Sequence, residues 1–185
     1  MINEITEDKS MITLTGKKVS EGIAMGKLSF YKRDSKEIRR IYVKDVEKEV
    51  QRFQKARQKA LQELKELYET ASKEVGEANA AIFEMQEMVL EDQDLVDKVT
   101  GIIVEQKLNA EYAIQNAAEY LMATAVENDK GYIQGHDADV KDVTNRLLHT
   151  LARGWKDKML MDEPFVLAAG ELYPSEAVQL DKTKV

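Results

Sequence analysis

Cysteine is absent from the 185-residue sequence. Disulfides, zinc–cysteine centres and thiol nucleophiles are excluded with it. Proline occurs only twice, as Pro164 and Pro174, so no residue from Asp45 to Lys158 forbids a helix. Tryptophan occurs once, as Trp155, and histidine twice, as His136 and His149. No apolar run approaches the roughly 20 residues that span a bilayer. The N-terminus carries Glu4, Glu7 and Asp8 and no apolar segment, unlike a signal peptide. No basic patch stands out, and 34 acidic against 27 basic residues give a net charge of −7. That balance disfavours nucleic acid. The expectation is a cytoplasmic chain without a membrane or nucleic-acid partner. Gly-rich phosphate loops, nucleophile elbows and zinc motifs are also missing.

What is present is a long block of good helix formers. Asp45 is a fair N-cap. Val46, Val50, Phe53, Arg57, Ala60, Leu64, Leu67 and Ala71 follow at alternating four- and three-residue steps, a heptad-like seam interrupted by Arg57. A helix to Val75 is roughly 45 Å long, and Gly76 is its C-cap or hinge. A second helix runs to about Asp92 and a third from Gln93 to Gln106. Asn109 caps a fourth, whose small face is Ala110, Ala113, Ile114, Ala117, Leu121 and Ala125. Gly131 and Gly135 bracket the start of a fifth, striped by Val140, Val143, Leu147 and Leu151 and ended by Gly154. The flanks differ. Ile12, Leu14, Ile23, Met25, Leu28 and Phe30 among glycines suggest strands and turns. Phe165–Ala169 reads as a buried strand, and Pro174-Ser175-Glu176 opens a short helix.

The second helix carries apolar residues on more than one side, so it must bury more than one face. Ala81, Met85, Met88 and Asp92 lie along one side, with Ile82, Phe83, Gln86 and Leu90 around the adjoining ones. One face can serve the core. The other, small and Met-rich with an acidic rim, suits a partner, because the methionine thioether repacks easily. Asp137, Asp139 and Asp142 do not share one helix face and lack a calcium-loop pattern, so they read as a solvated helix start. His149 reads as a helix-end residue beside the C-terminal dipole. Trp155 reads as packing between the helices and the sheet.

Four segments carry a family resemblance. The run Ala81-Ile82-Phe83-Glu84, then Met88 and Leu90-Glu91-Asp92, then Leu95, resembles E-A-I-F-E-x-x-x-M-x-L-E-D-x-x-L of bacterial Enzyme I, the phosphoenolpyruvate-protein phosphotransferases. Ser20-Glu21-Gly22-Ile23-Ala24-Met25-Gly26-Lys27 resembles that family's S-P-G-I-A-x-G-K. Ala138-Asp139-Val140-Lys141-Asp142-Val143 with Arg146-Leu147-Leu148 resembles A-D-V-R-D-I-x-x-R-L-L. Leu172-Tyr173-Pro174-Ser175-Glu176-Ala177-Val178-Gln179-Leu180 resembles L-T-P-S-E-T-A-Q-L. The four occur in family order and cover nearly everything after Met11.

The resemblance implies an α-dominated α+β fold, with an HPr-binding-like helical bundle inserted in an incomplete α/β phosphohistidine-type domain. Residues 1–43 then supply N-terminal strands, with 1–10 a candidate for disorder. Residues 44–158 form the helical partner-binding domain, and 159–185 return to the α/β domain. The implied partner is HPr, the histidine-containing phosphocarrier of the sugar phosphotransferase system. The implied contact residues are Glu77, Ala81, Glu84, Met85, Met88, Val89 and Leu95, with Gln86 in the same surface. His136 stands where the family carries an arginine facing the carrier, and His titrates near neutrality while Arg does not. Ala78, Met85, Gln86, Val89, Glu21 and Tyr173 also depart from the family residues. The family's phosphorylated histidine lies in a G-G-x-T-S-H motif that this sequence does not contain. The chain alone is therefore expected to be inactive, with no catalytic, metal or cofactor-binding residue. Magnesium, and a homodimer through a C-terminal domain, are implied only for a full-length parent. Three other readings stand beside this one: a part of a divergent phosphotransfer branch, a relative of phosphoenolpyruvate-dependent dihydroxyacetone kinase subunits, which share Enzyme I-like segments, and a non-catalytic helical adaptor that self-associates through the Val46–Ala71 seam.

Overall fold

The computed structural model describes residues 14–17, 19–31, 37–124, 137–152, 163–181 and 183–184. Along the chain run β1 (Lys27–Tyr31), α1 (Val46–Val75), α2 (Glu77–Glu91), α3 (Gln93–Gln106), α4 (Ala110–Thr124), α5 (Asp137–Leu151), β2 (Phe165–Ala169) and α6 (Pro174–Val178). Five helices pack into one bundle. β1 and β2, from opposite sides of that block, pair in parallel from Lys27↔Phe165 to Tyr31↔Ala169. The sequence is thus α-dominated with a small sheet, as its patterning implies.

The helix boundaries follow from local chemistry. Asp45 accepts from the Lys48 amide at 3.0 Å and caps α1. Gly76 separates α1 from α2 with φ +88°, a conformation that favours glycine. Asp92 accepts from the Asp94 and Leu95 amides at 2.8 and 3.2 Å and so starts α3. Arg57, the break in the α1 seam, has a use there: its Nε donates to the Leu90 carbonyl at 2.5 Å, satisfying an acceptor in the last turn of α2.

The core is one cluster. α1 contributes Phe53, Ala56, Ala60, Leu64, Leu67 and Ala71, and α2 contributes Ala80, Phe83, Val89 and Leu90. Ala110, Ala113, Ile114, Ala117 and Leu121 of α4 are buried, as are Val140, Val143, Leu147 and Leu151 of α5. The α1 seam is therefore consumed inside the bundle, which removes the ground for an adaptor that self-associates through it.

Three local expectations change. Ile23 and Met25 are exposed and lie outside any strand, because the paired register begins at Lys27. The Asn109 side chain does not cap α4. It accepts from the Ile41 amide at 2.9 Å, and Glu49 of α1 takes the Ala110 amide at 2.7 Å instead. The three aspartates do not form a solvated helix start, since Asp139 and Asp142 are buried. Ile12, Ala125, Gly131, Gly135, Gly154 and Trp155 fall outside the described residues.

Beside the α4 start, Arg52 pairs with both Glu49 and Glu111. Burial tends to raise the Glu111 carboxyl, but hydrogen bonds from Arg52 and Asn109 outweigh it and hold Glu111 below the ordinary glutamate range. A depressed carboxylate contributes stability above its unfolded pKa and loses it as pH falls through the folded value. Glu111→Gln is expected to cost about 0.5–1 kcal/mol near neutral pH, discounted because the pair is part-exposed. The deficit should vanish on acidification, as read by denaturant unfolding across pH.

Candidate functional site

α2 divides cleanly into two arcs. Ala80, Phe83, Gln86, Val89 and Leu90 face inward and are buried, because α2 packs on α1, α3 and α5. Glu77, Ala81, Glu84 and Met88 face solvent. Their spacing of four, three and four residues makes them one continuous stripe. Met88 at its C-terminal end is 50% exposed, and Met85 beside it is half-buried against the core. Acids surround the stripe. Burial pushes the Glu87 carboxyl up, Lys65 of α1 opposes this, and Glu91 and Glu84 add to it.

The structure thus brings together Glu77, Ala81, Glu84, Met85 and Met88. It separates three neighbours from them. Val89 is 1% exposed and Leu95 5%, so both belong to the core rather than to a contact surface. Val89 lies opposite the stripe on the inward arc. Leu95 follows the break at Asp92, which turns α3 so that Leu95 points inward. Gln86 is fully buried and likewise leaves the surface. His136 lies outside the described residues.

Where Gln86 goes is the second feature of the site. Its Nε2 donates to Asp142 Oδ2 of α5 at 3.1 Å. The Ser175 amide donates to the same oxygen at 3.1 Å, and the Ser175 hydroxyl donates to Asp142 Oδ1 at 2.5 Å. One buried carboxylate therefore joins α2, α5 and α6. Burial pushes Asp142 above the ordinary aspartate range, against the pull of its Ser175 and Gln86 donors and of Arg146. Arg146 in turn pairs with Glu63 of α1 at 3.0 Å. The start of α6 has its own fastening: Glu176 accepts from the Tyr173 amide at 2.7 Å and from the Tyr31 hydroxyl of β1 at 2.6 Å. A sequence signal for Asp142 exists, since Asp139, Asp142, Val143 and Leu147 keep helical spacing and put an acid on the apolar stripe.

Among the described residues, no group of three or more His, Asp or Glu side chains is arranged to hold a metal ion. None of their helices is long and apolar enough to cross a membrane.

Helices carried between the two strands of a small parallel sheet define a helical bundle with a two-stranded sheet beside it. Comparison with known proteins gives the family. Residues 15–135 match the family described as PEP-utilising enzyme, N-terminal, and the chain belongs to it. The phosphoenolpyruvate-protein phosphotransferase of Listeria monocytogenes is 34% identical over 173 residues, covering 93% of this chain and 30% of that protein. The Borreliella burgdorferi protein of the same name is 30% identical, covering 92% and 30%. The chain thus spans about 30% of the length of these relatives, whose shared name is that of Enzyme I. A solution structure of an Enzyme I protein, nEIt, superposes with a TM-score of 0.69 at 28% identity, over 86% of this chain and 65% of that one. The N-terminal domain of a nitrogen-type Enzyme 1 has the same fold, with a TM-score of 0.62 at 20% identity, over 89% and 68%.

Proposed function

We propose that this chain is the carrier-docking part of an Enzyme I-type phosphoenolpyruvate-protein phosphotransferase, and that the outward arc of α2 seats the phosphocarrier HPr. One observation carries the reading. In a helix otherwise used by the core, Ala81, Glu84 and Met88 form a continuous exposed stripe. The small Ala81 and the methionine Met88 on either side of Glu84 allow close approach and repacking. Glu77, Glu84, Glu87 and Glu91 around it favour a partner with basic residues beside exposed apolar groups, and charge of this kind chiefly sets association rate and orientation. His136, which stands where the family resemblance places an arginine, joins the proposal as a carrier contact that His, unlike Arg, makes only when protonated.

The phosphoryl step belongs, on this reading, to a histidine motif that the sequence does not contain. Incubation with phosphoenolpyruvate and magnesium is therefore expected to leave His136 and His149 unlabelled. Calorimetric titration with HPr tests the docking half. Saturable one-to-one binding that weakens with added salt is the expected result. The absence of heat and of any competition at high micromolar HPr would refute it.

A further inference from the structure

We propose that Gln86, Asp142 and Ser175 form a coupler through which the position of α2 is felt at α6. The three residues are 0%, 2% and 4% exposed, so no solvent competes for their bonds. They come from three separate elements and meet on one carboxylate. Both oxygens of Asp142 are used, and the two ends are held unequally. α6 is fastened by the amide and the hydroxyl of Ser175, whereas α2 is fastened by the single Gln86 donor. Gln86 Oε1 is buried without a protein partner, so the α2 end is the adjustable one.

Geometry gives the coupler both an input and an output. Gln86 lies on the inward arc of α2, within one helical turn of Glu84 and Met88 on the outward arc. A shift or rotation of α2 must move the Gln86 amide against Asp142. At the other end, Ser175 opens α6, which follows β2 after a short turn, and Glu176 ties that same turn to Tyr31 of β1. Displacing Ser175 therefore reaches both strands. Arg146, one turn along α5, is held by Glu63 of α1, so the carboxylate sits on a fixed base while its two ends can respond. A hydrogen-bond network shared by packed elements is one physical route by which a shift at one site changes the energy of another. The coupler concerns this chain alone. Only its use by a docked partner rests on the proposal that HPr binds α2.

Amide hydrogen exchange on the full chain tests the coupler without a partner. Gln86→Met keeps the side-chain volume, deletes the donor and removes the unpartnered carbonyl. The Ser175 amide is expected to exchange about three- to tenfold faster, the equivalent of one hydrogen bond, while Ile114 and Ala117 in α4 keep their protection. Coupling is reciprocal. Ser175→Ala is therefore expected to speed exchange of the Gln86 side-chain amide, and it gives the same test should Gln86→Met not fold. Unchanged Ser175 exchange in folded Gln86→Met, or an unchanged Gln86 amide in Ser175→Ala, overturns the coupler. Added HPr supplies a separate arm. Movement of the Ser175 resonance together with Glu84 and Met88 supports transmission, and movement of Glu84 and Met88 alone overturns it. No movement on α2 refutes docking, and the coupler then stands or falls on the two variants.

Discussion

Replacing Met88 with aspartate is expected to weaken HPr binding by about thirtyfold or more, the loss that follows removal of an interface anchor. Circular dichroism should remain that of the native chain. Met88 is half exposed and contributes no buried core volume, so the bundle does not need it. At the contact centre the new carboxylate would be taken out of water with no basic group fixed to receive it. It would also stand one helical turn from Glu84 and next to Glu87, adding like charge where the rim is already acidic. Met88→Leu, which keeps the apolar contact, is expected to bind within a few-fold of the native chain. Glu84→Lys should act differently from both. It inverts charge at the rim, and its effect should fall chiefly on the association rate and shrink at high salt. Equal binding by Met88→Asp and the native protein, measured calorimetrically, would contradict the assignment of this face.

The largest effect on stability is expected at Asp142. Asp142→Ala leaves the Ser175 amide, the Ser175 hydroxyl and the Gln86 amide buried without their acceptor. A cost of about 2–4 kcal/mol follows, less than three full desolvation penalties because the buried charge disappears as well. Asp142→Asn should behave differently. Its carbonyl can take the place of Oδ2 and accept from Ser175 and Gln86, while its amide donates to the Ser175 hydroxyl, which turns its own proton away. Urea unfolding near neutral pH should place Asp142→Asn within about 1 kcal/mol of native. The pH dependence separates the two forms further. Burial raises the folded pKa of Asp142 above its unfolded value. The folded state then binds more protons in the interval between the two values, so this group lowers stability as pH rises through that interval. Asp142→Asn should remove that slope and leave the opposite one due to Glu111. A native-like slope in Asp142→Asn would show that another group is responsible.

Much of the architecture was legible because the helix signals agree with one another. Asp45, Gly76 and Asp92 bound α1 and α2 through a side-chain cap, a positive φ and a second side-chain cap, all chemistry local to the sequence. The stripes of α1, α4 and α5 were equally readable, since a 3.6-residue period survives packing. The contact face was legible only in part. Ala81, Glu84 and Met88 keep the spacing of one helix face, but Leu95 matches the family pattern, and Val89 adjoins it in sequence, without sharing that face. A linear motif does not record the turn at Asp92 that sends Leu95 inward. The burial of Asp142 is hidden in the sequence for another reason. Judged only against Asp137 and Asp139 it looks like one member of a solvated cluster. Its partners, Gln86 and Ser175, lie 56 and 33 residues away in sequence, and only tertiary contact brings them to it. Asn109 shows the same limit, because its side chain is drawn to Ile41 and Glu49 arrives from α1 to replace it.

The proposed role of the outward arc of α2 is to receive the phosphocarrier. An NMR titration of the chain with unphosphorylated HPr from the same organism tests it most directly. Progressive shifts are expected at Glu77, Ala81, Glu84, Met85 and Met88, with Val89 and Leu95 following only as their helices adjust. Shifts confined to another surface, such as the α3–α4 face around Lys98 and Tyr120, or no shifts at high micromolar HPr, would contradict it.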